Sequence, residues 1–438
     1  MRKGLIDIIT LGCSKNLVDS EKLIKQFEAS GFTVRHDPEE PCGEYVVINT
    51  CGFIGDAQEE SIQMILQCAE LKKRGSIGKL FVMGCLSQLY SKELAEEIPD
   101  VDKYFGKFNW DLLLSEVNSK WHSALINERR ITTPSHYAYL KIAEGCDRRC
   151  AFCSIPLMTG SYRSREVKDI IDEAEKLVSK GVKEIQLIAQ DLTYYGLDIS
   201  RKAKISDLVE RLSDINGLEW IRLHYAYPDK FPFDLLRVIR ERDNVCNYLD
   251  IALQHISDNM LKRMHRHISS SQTKELLQRI REEVPGIHLR TTLMVGFPGE
   301  TESDFSELTD FVRQYAFERM GAFAYSQVDG TFSALNYIDD ISPKDKQRRL
   351  SKLMEIQQEI SEQINQKKIS HSFKTIIDRK EDAYYIGRTE FDSPEVDPEV
   401  LIESAEELSL GSFQNVYITG AEAFDLYGVI DNEKNFKI

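Results

Sequence analysis

The chain has 438 residues, too many for one ordinary hydrophobic core, so two or three domains are expected. Its 42% hydrophobic and 29% charged content is that of a globular protein, and a formal net charge of −15 speaks against a broadly phosphate-binding surface. No apolar run approaches the length of a membrane span, and Met1-Arg-Lys-Gly-Leu-Ile-Asp7 lacks the long apolar core of a signal peptide, so a cytoplasmic protein with no membrane partner is expected.

Nine cysteines in a reducing compartment point to metal or redox chemistry rather than a disulfide framework. Residues 1–125 repeat one pattern three times. Leu5 to Leu11 is an apolar run broken by Asp7 and Thr10; it ends at Gly12-Cys13, before a helical pattern with Asp19 or Ser20 as N-cap and Leu23, Ile24 and Phe27 on one face. Tyr45 to Ile48 ends at Asn49-Thr50-Cys51-Gly52, before a helix through Ile62, Ile65, Leu66 and Ala69. Leu80 to Met83 ends at Gly84-Cys85, before a helix around Leu94. This alternation implies a parallel α/β sheet, whose ligand sites lie beyond the carboxyl ends of its strands. Cys13, Cys51 and Cys85 all stand at such ends, so a shared metal site is expected there. Cys42, Cys68 and Cys246 lack this placement and read as structural.

Over residues 132–365 six strand-like runs alternate with helical patterns: Tyr137–Ala143, Glu184–Gln190, Trp220–His224, Tyr248–Leu253, Leu289–Val295 and Gly321–Ser326. A long charged helix from about Pro343 to Lys368 follows. Six βα units suggest an open or partial barrel, with chemistry at the carboxyl ends of its strands. The first strand leads into Cys146-Asp-Arg-Arg-Cys150-Ala-Phe-Cys153. Three thiolates at this spacing suit an iron–sulfur cluster, zinc or Cu(I), and either a distant residue completes the ligand set or one metal position stays open. Other strand ends carry Gln190-Asp191, His224-Tyr225, Gln254-His255 and Gly296-Phe-Pro298-Gly299-Glu300, where glycines let a ligand approach the backbone. His265 and His267 read as a solvated helix end with Lys262, Arg263 and Arg266 rather than as a zinc site.

A C-x3-C-x2-C loop after the first of six barrel strands resembles the radical S-adenosylmethionine (SAM) superfamily, with Phe152 matching the aromatic found before its last cysteine. The whole chain resembles the methylthiotransferases of that superfamily, on Leu11-Gly-Cys-Ser-Lys-Asn-Leu-Val-Asp-Ser-Glu21, Asn49-Thr-Cys-Gly-Phe53, Gly84-Cys85 and Lys141-Ile-Ala-Glu-Gly-Cys146. Thr159 departs from it, since many members are basic at that position. The resemblance implies three domains: an α/β domain over 1–125, a radical SAM core over 132–365 and a TRAM-like antiparallel β-barrel over 370–438. It implies two [4Fe-4S] clusters, one on Cys146, Cys150 and Cys153 and one on Cys13, Cys51 and Cys85. SAM would serve as radical source and methyl donor, with Phe152, Gly296, Pro298 and Gly299 near it. It also implies an electron donor such as flavodoxin or ferredoxin.

Five short β-rich runs after residue 370 read as that small barrel. Residues 371–438 hold fifteen Asp/Glu against six Lys/Arg, a local balance of −9. An acidic barrel suits a basic protein better than a nucleic acid. Gly387-Arg-Thr-Glu-Phe-Asp-Ser-Pro-Glu-Val-Asp397 also resembles the members that modify a ribosomal protein. The implied substrate is the β-carbon of an aspartate in a basic small-subunit ribosomal protein, free or on the ribosome, giving 3-methylthio-aspartate. The alternative in the same class, 2-methylthiolation of a tRNA adenosine, calls for a basic barrel and is less favoured. A non-enzymatic iron–sulfur protein that binds ribosomes is the distant alternative.

Overall fold

The structure, a computed structural model, describes residues 2–52 and 55–431; Phe53 of the Asn49–Phe53 motif lies outside them. The chain forms two compact units. One comprises Met1–Thr133, Tyr139–Glu173 and Ser326–Leu335, the other Pro134–Ala138, Ala174–Tyr325 and Asn336–Ile438.

The first unit opens with β1 (Arg2–Thr10), α1 (Ser14–Ala29), β2 (Thr33–His36), β3 (Gly43–Thr50), α2 (Gly55–Lys73), β4 (Lys79–Gly84), α3 (Cys85–Glu97), β5 (Lys103–Tyr104) and α4 (Trp110–Glu116). The strands form one parallel sheet in the order β2-β1-β3-β4-β5. Side chains alternate between its faces. Val46, Ile48, Leu80 and Val82 pack with Ile65, Cys68 and Ala69 of α2. Ile6, Ile8, Val47, Phe81 and Met83 pack with Leu23, Ile24 and Phe27 of α1. Both faces are covered, which is why these strands read as continuous apolar runs. Two features differ from the expectation. The edge strands β2 and β5 are too short to show a period. Helix α1 starts six or seven residues earlier than expected, because Cys13, extended at φ −102° and ψ 165°, takes the N-cap position; Asp19 and Ser20 lie on its buried side.

Next come β6 (Tyr137–Lys141), β7 (Ala143–Glu144), α5 (Ile155–Thr159), β8 (Arg163–Ser164) and α6 (Val167–Ser179). The antiparallel pair β7–β8 joins Ala143 to Ser164 and Glu144 to Arg163, which clamps both ends of the three-cysteine loop.

There follow β9 (Glu184–Ile188), α7 (Leu197–Ser200), α8 (Ile205–Ser213), β10 (Trp220–Ala226), α9 (Asp234–Glu241), β11 (Val245–Ile251), α10 (Asp258–Arg263), α11 (Ser270–Glu283), β12 (His288–Val295), α12 (Glu302–Tyr315), β13 (Arg319–Ala324), α13 (Phe332–Asn336) and α14 (Pro343–Gln366). The six expected strands are all present, in the sequential order β6-β9-β10-β11-β12-β13. Neighbouring strands from β9 to β13 are parallel, and the sheet does not close. One expectation fails here. Arg266 is buried rather than solvated, its guanidinium 4.1 Å from the Tyr227 ring centre. Left-handed backbone at His265 (φ +57°) and His267 (φ +55°) turns the intervening arginine inward.

The strands β14 (Ser372–Glu381), β15 (Tyr384–Thr389), β16 (Glu399–Glu403), β17 (Phe413–Ala421) and β18 (Asp425–Ile430) close into a barrel around Ile377, Tyr385, Val400, Ile402, Val416, Ile418 and Leu426. Its β15–β16 connection packs against the amino-terminal ends of the six-stranded sheet. Arg319 Nε donates to Asp392 Oδ1 at 3.0 Å, the Tyr248 hydroxyl to Asp397 Oδ2 at 2.8 Å and the Tyr137 hydroxyl to Glu395 Oε1 at 3.1 Å. Phe391 stacks on His288 with ring centres 3.9 Å apart. Behind it Arg388 bonds Glu184 at 2.7 Å and Asp378 at 2.6 Å. The acidic Gly387–Asp397 segment therefore serves first as an internal plug. The exposed acids of this barrel are Glu395 of that segment and others outside it, among them Glu403, Glu406, Glu407 and Glu422.

Candidate metal centres

Strands β1, β3 and β4 are neighbours in register, Thr10 opposite Asn49 and Thr50 opposite Gly84. Their carboxyl ends thus reach the same edge of the sheet, and the next residues include Cys13, Cys51 and Cys85. Buried amides hold these ends. Asn16 Nδ2 donates to the Leu11 and Thr50 carbonyls at 3.1 and 3.0 Å, and Asn49 Nδ2 donates to the Asn16 carbonyl at 3.0 Å. The Cys51 amide donates to Ser61 Oγ at 3.0 Å. Gly12 is needed twice over: its φ is +91°, and a Cβ there would stand 2.6 Å from the Cys51 sulfur.

Cys13 is exposed, while Cys51 and Cys85 are buried. Burial pushes the Cys85 thiol up to about 12; Lys107 works against this, and the nearby Cys13 and Cys51 sulfurs add to it. The three sulfurs are therefore electrostatic neighbours, and a bound metal is what would hold Cys85 as a thiolate. Among the described residues, no three His, Cys, Asp or Glu side chains are already drawn to a common metal-binding point. The donor set of three thiols on one edge fits a thiophilic cluster.

The second triad sits in the loop between β7 and β8. Gly145 (φ +82°) opens it, and a Cβ there would meet the Ser161 carbonyl oxygen at 2.1 Å. The Cys146 amide donates to the Gly160 carbonyl at 3.2 Å, and the Cys153 amide to the Cys150 carbonyl at 3.0 Å. The Ser333 amide donates to the Ala151 carbonyl at 2.8 Å. Cys146, Cys150, Phe152 and Cys153 are all half-buried. Thr159, where the resembled family is often basic, is buried and donates its hydroxyl to the Ile155 carbonyl at 2.9 Å. Its role in α5 is structural.

The glycines after β12 behave differently from the expectation. At Gly296 (φ +71°) the space a Cβ would need is taken by the Lys346 side chain, and at Gly299 (φ +80°) by the Arg263 guanidinium. The Gly296 amide is engaged by Glu300 at 2.6 Å and the Gly299 amide by Asp340 at 2.9 Å. The close approach these glycines permit is thus made by the chain's own side chains. Pro298 presents its carbonyl to Arg263 Nε at 2.9 Å. His255, buried, bridges Ser257 and Glu300 as a strut between two loops.

Gln254 stands out at the end of β11. It is non-glycine at φ +72°, only 8% exposed, and its Oε1 is buried without a hydrogen-bond partner. A strained backbone presenting an unsatisfied acceptor at a strand's carboxyl end marks a ligand-facing position. Its place at a strand end was visible in sequence; its strain and its empty acceptor were not. On the barrel wall His224, on β10, bonds Gln186 of β9 at 2.7 Å, and burial lowers its pKa against the opposing pull of Asp250.

Three family models match: the radical SAM superfamily over residues 140–312, the uncharacterized protein family UPF0004 over 6–106 and the TRAM domain over 369–430. The ribosomal protein uS12 methylthiotransferase RimO of Phocaeicola vulgatus is 61% identical, covering 98% of this chain and 100% of that protein. The chain belongs to the RimO family of radical SAM methylthiotransferases. Relatives of the same name from Porphyromonas gingivalis and Christiangramia forsetii are 58% and 51% identical over 98% of this chain and 100% and 94% of theirs. Among solved structures, the radical SAM methyltransferase TsrM of Kitasatospora setae, with cobalamin and a [4Fe-4S] cluster bound, matches with a TM-score of 0.53. At 14% identity over 76% of this chain and 77% of that one, this likeness concerns the fold.

Proposed function

We propose that this chain is a radical SAM methylthiotransferase that inserts sulfur and a methyl group at the β-carbon of an aspartate of ribosomal protein uS12. The observation that carries this reading is the end-to-end match to uS12 methylthiotransferases, at 61% identity over 98% of the chain. Bound SAM and iron–sulfur clusters supply radical hydrogen abstraction from an unactivated carbon, which no side chain offers. The residues of this chain do the rest. Cys146, Cys150 and Cys153 hold one cluster and leave one iron for SAM. The β7–β8 clamp and the Cys146–Gly160 backbone bond keep that loop in shape. Cys13, Cys51 and Cys85 hold the second cluster, fastened by Asn16, Asn49 and Ser61.

Phe152, Gly296, Pro298 and Gly299 remain the expected SAM contacts in this reading. Gln254 offers its unsatisfied amide oxygen to SAM. The functional division is 1–125, 132–365 and 370–438. The exposed acids of the C-terminal barrel receive the basic substrate, free or on the ribosome. A flavodoxin or ferredoxin supplies electrons in the cytoplasm. No helix among the described residues is long and apolar enough to cross a membrane.

The deciding experiment incubates the reconstituted enzyme, SAM and a reductant with uS12 and, separately, with tRNA. A methylthio mass increment on an aspartate of uS12 is expected. An increment on tRNA alone would overturn the substrate. Undiminished 5′-deoxyadenosine from Cys146→Ala would overturn the loop assignment.

A further inference from the structure

A buried charge cluster joins the two cysteine regions of the first unit. Lys107 follows β5, and its side chain is 3% exposed. Its Nζ lies 3.8 Å from the Cys85 sulfur, 3.6 Å from Asp19 Oδ2 and 3.7 Å from Glu144 Oε1. Lys141 bonds Asp19 Oδ1 directly and Glu144 Oε2 at 2.7 Å. Asp19 Oδ2 and Glu144 Oε1 are buried and make no hydrogen bond, so Lys107 is the cation they face. Two ammonium groups and two carboxylates balance within this cluster. The sulfur of Cys85 is an additional neighbour of Lys107 and is not needed for that balance.

The placement is specific. Asp19 is six residues beyond Cys13 on α1, and Glu144 is two residues before Cys146 on β7. Lys107 is thus held from both sides while it faces Cys85. The other polar neighbour of that sulfur, Asn16 Oδ1 at 3.7 Å, is an acceptor and suits only the protonated thiol. A metal-bound thiolate needs a donor, and Lys107 is the group in place to supply one.

We propose that Lys107 is a positioning residue for the cluster held by Cys13, Cys51 and Cys85, donating to the Cys85 sulfur and raising that cluster's reduction potential. This rests on the assignment of those three cysteines as ligands. An N–H donor at a ligating sulfur and a fixed positive charge both favour the reduced, more negative state, and burial strengthens both effects. Asp19 and Glu144, themselves fixed by Lys141, keep the ammonium from swinging to solvent.

The test uses the full chain with Cys146, Cys150 and Cys153 all changed to Ala, so that only the second cluster remains. Three reconstituted proteins are compared: this parent, the parent with Lys107→Met and Asp19→Asn, which keeps the charge balance, and the parent with Lys107→Arg. Iron and sulfide are measured, and the midpoint potential is read by a redox titration followed by electron paramagnetic resonance. All three should bind about four irons. The midpoint should move to more negative potential in the Met/Asn protein and return toward the parent value in the Arg protein. An unchanged midpoint with iron retained overturns the proposal. If the Met/Asn protein takes up no iron, Lys107→Met alone, which also lacks a donor, is titrated in its place under the same two readings. Should the parent itself bind no iron, the ligand assignment fails and the proposal falls with it, an outcome distinct from an unmoved potential.

Discussion

Replacing Gly12 by alanine tests how tightly the strand-end cysteines are packed. A side chain at φ +91° brings strain of roughly 1–2 kcal/mol. The new Cβ would stand 2.5 Å from Cys51 Cβ and 2.6 Å from its sulfur. Non-bonded carbons rest at about 3.5–4.0 Å, so one side must yield by roughly 1 Å. Cys51 cannot retreat easily, because its amide donates to Ser61 Oγ at 3.0 Å and its carbonyl accepts from the same hydroxyl at 3.1 Å. Overpacking of this kind costs about 1–3 kcal/mol, which brings the total to roughly 2–5 kcal/mol. The more direct readout is iron: Gly12→Ala should fall from about eight to about four irons per chain, losing the cluster of the displaced sulfur. Gly75→Ala is the control, since Gly75 has φ +74° but nothing within 4 Å of an added Cβ. It should show the backbone strain alone and keep its iron. Full iron in Gly12→Ala, with a stability equal to that of the control, would refute the reasoning.

Three further outcomes are expected. Lys368 is buried with no hydrogen-bond partner, 5.7 Å from the Phe391 ring centre, and burial lowers its pKa to about 8. The unfolded chain therefore binds more protons than the folded one between about 8 and the usual lysine value, so stability rises with pH across that window. Below pH 8 the charge penalty is about 3 kcal/mol; less about 1 kcal/mol of cation–π attraction, Lys368→Met should be more stable by about 2 kcal/mol, the gap closing as pH rises toward 10. Denaturant unfolding at pH 7 and pH 10 checks this, and a gap that widens with pH would be the wrong sign. Asp392→Ala leaves buried Arg319 unpaired and should cost about 3–5 kcal/mol in the same assay without changing iron content. Burial opposes ionisation of Asp392, but Arg319 and then Lys368 hold its carboxyl well below the usual range, so this contribution persists to low pH. Gln254→Ala would remove the hydrogen bond proposed to SAM and should weaken SAM binding about 3–10-fold by calorimetry, with an unchanged affinity counting against the assignment.

Local signals carried much of this protein. Both faces of the N-terminal sheet are covered, so β1, β3 and β4 appear as plain apolar runs, and a cysteine after each one is visible by eye. The spacing of Cys146, Cys150 and Cys153 lies within one loop and needs no tertiary information. The six barrel strands follow from alternation alone, since sequential βα units form a sheet in chain order. Short elements escaped: β5 has two residues and no measurable period. The start of α1 is hidden in the sequence because Cys13 caps it with an extended backbone and no side-chain hydrogen bond, so the usual polar signal is missing.

What the tertiary structure alone decided is which charges meet. Lys141 and Asp19 are 122 residues apart, and nothing in either neighbourhood selects the other. The chain is rich in acids, and only packing shows that Asp392 and Asp397 plug the sheet while Glu403, Glu406 and Glu407 face solvent. The same holds for Gly296 and Gly299, whose open space is filled by Lys346 and Arg263. Periodicity records which face of an element is buried, because burial recurs with the turn of the helix or the pleat of the strand. It does not record the partner of a buried ion, since attraction between charges is indifferent to sequence distance and is settled by the geometry of the assembled fold.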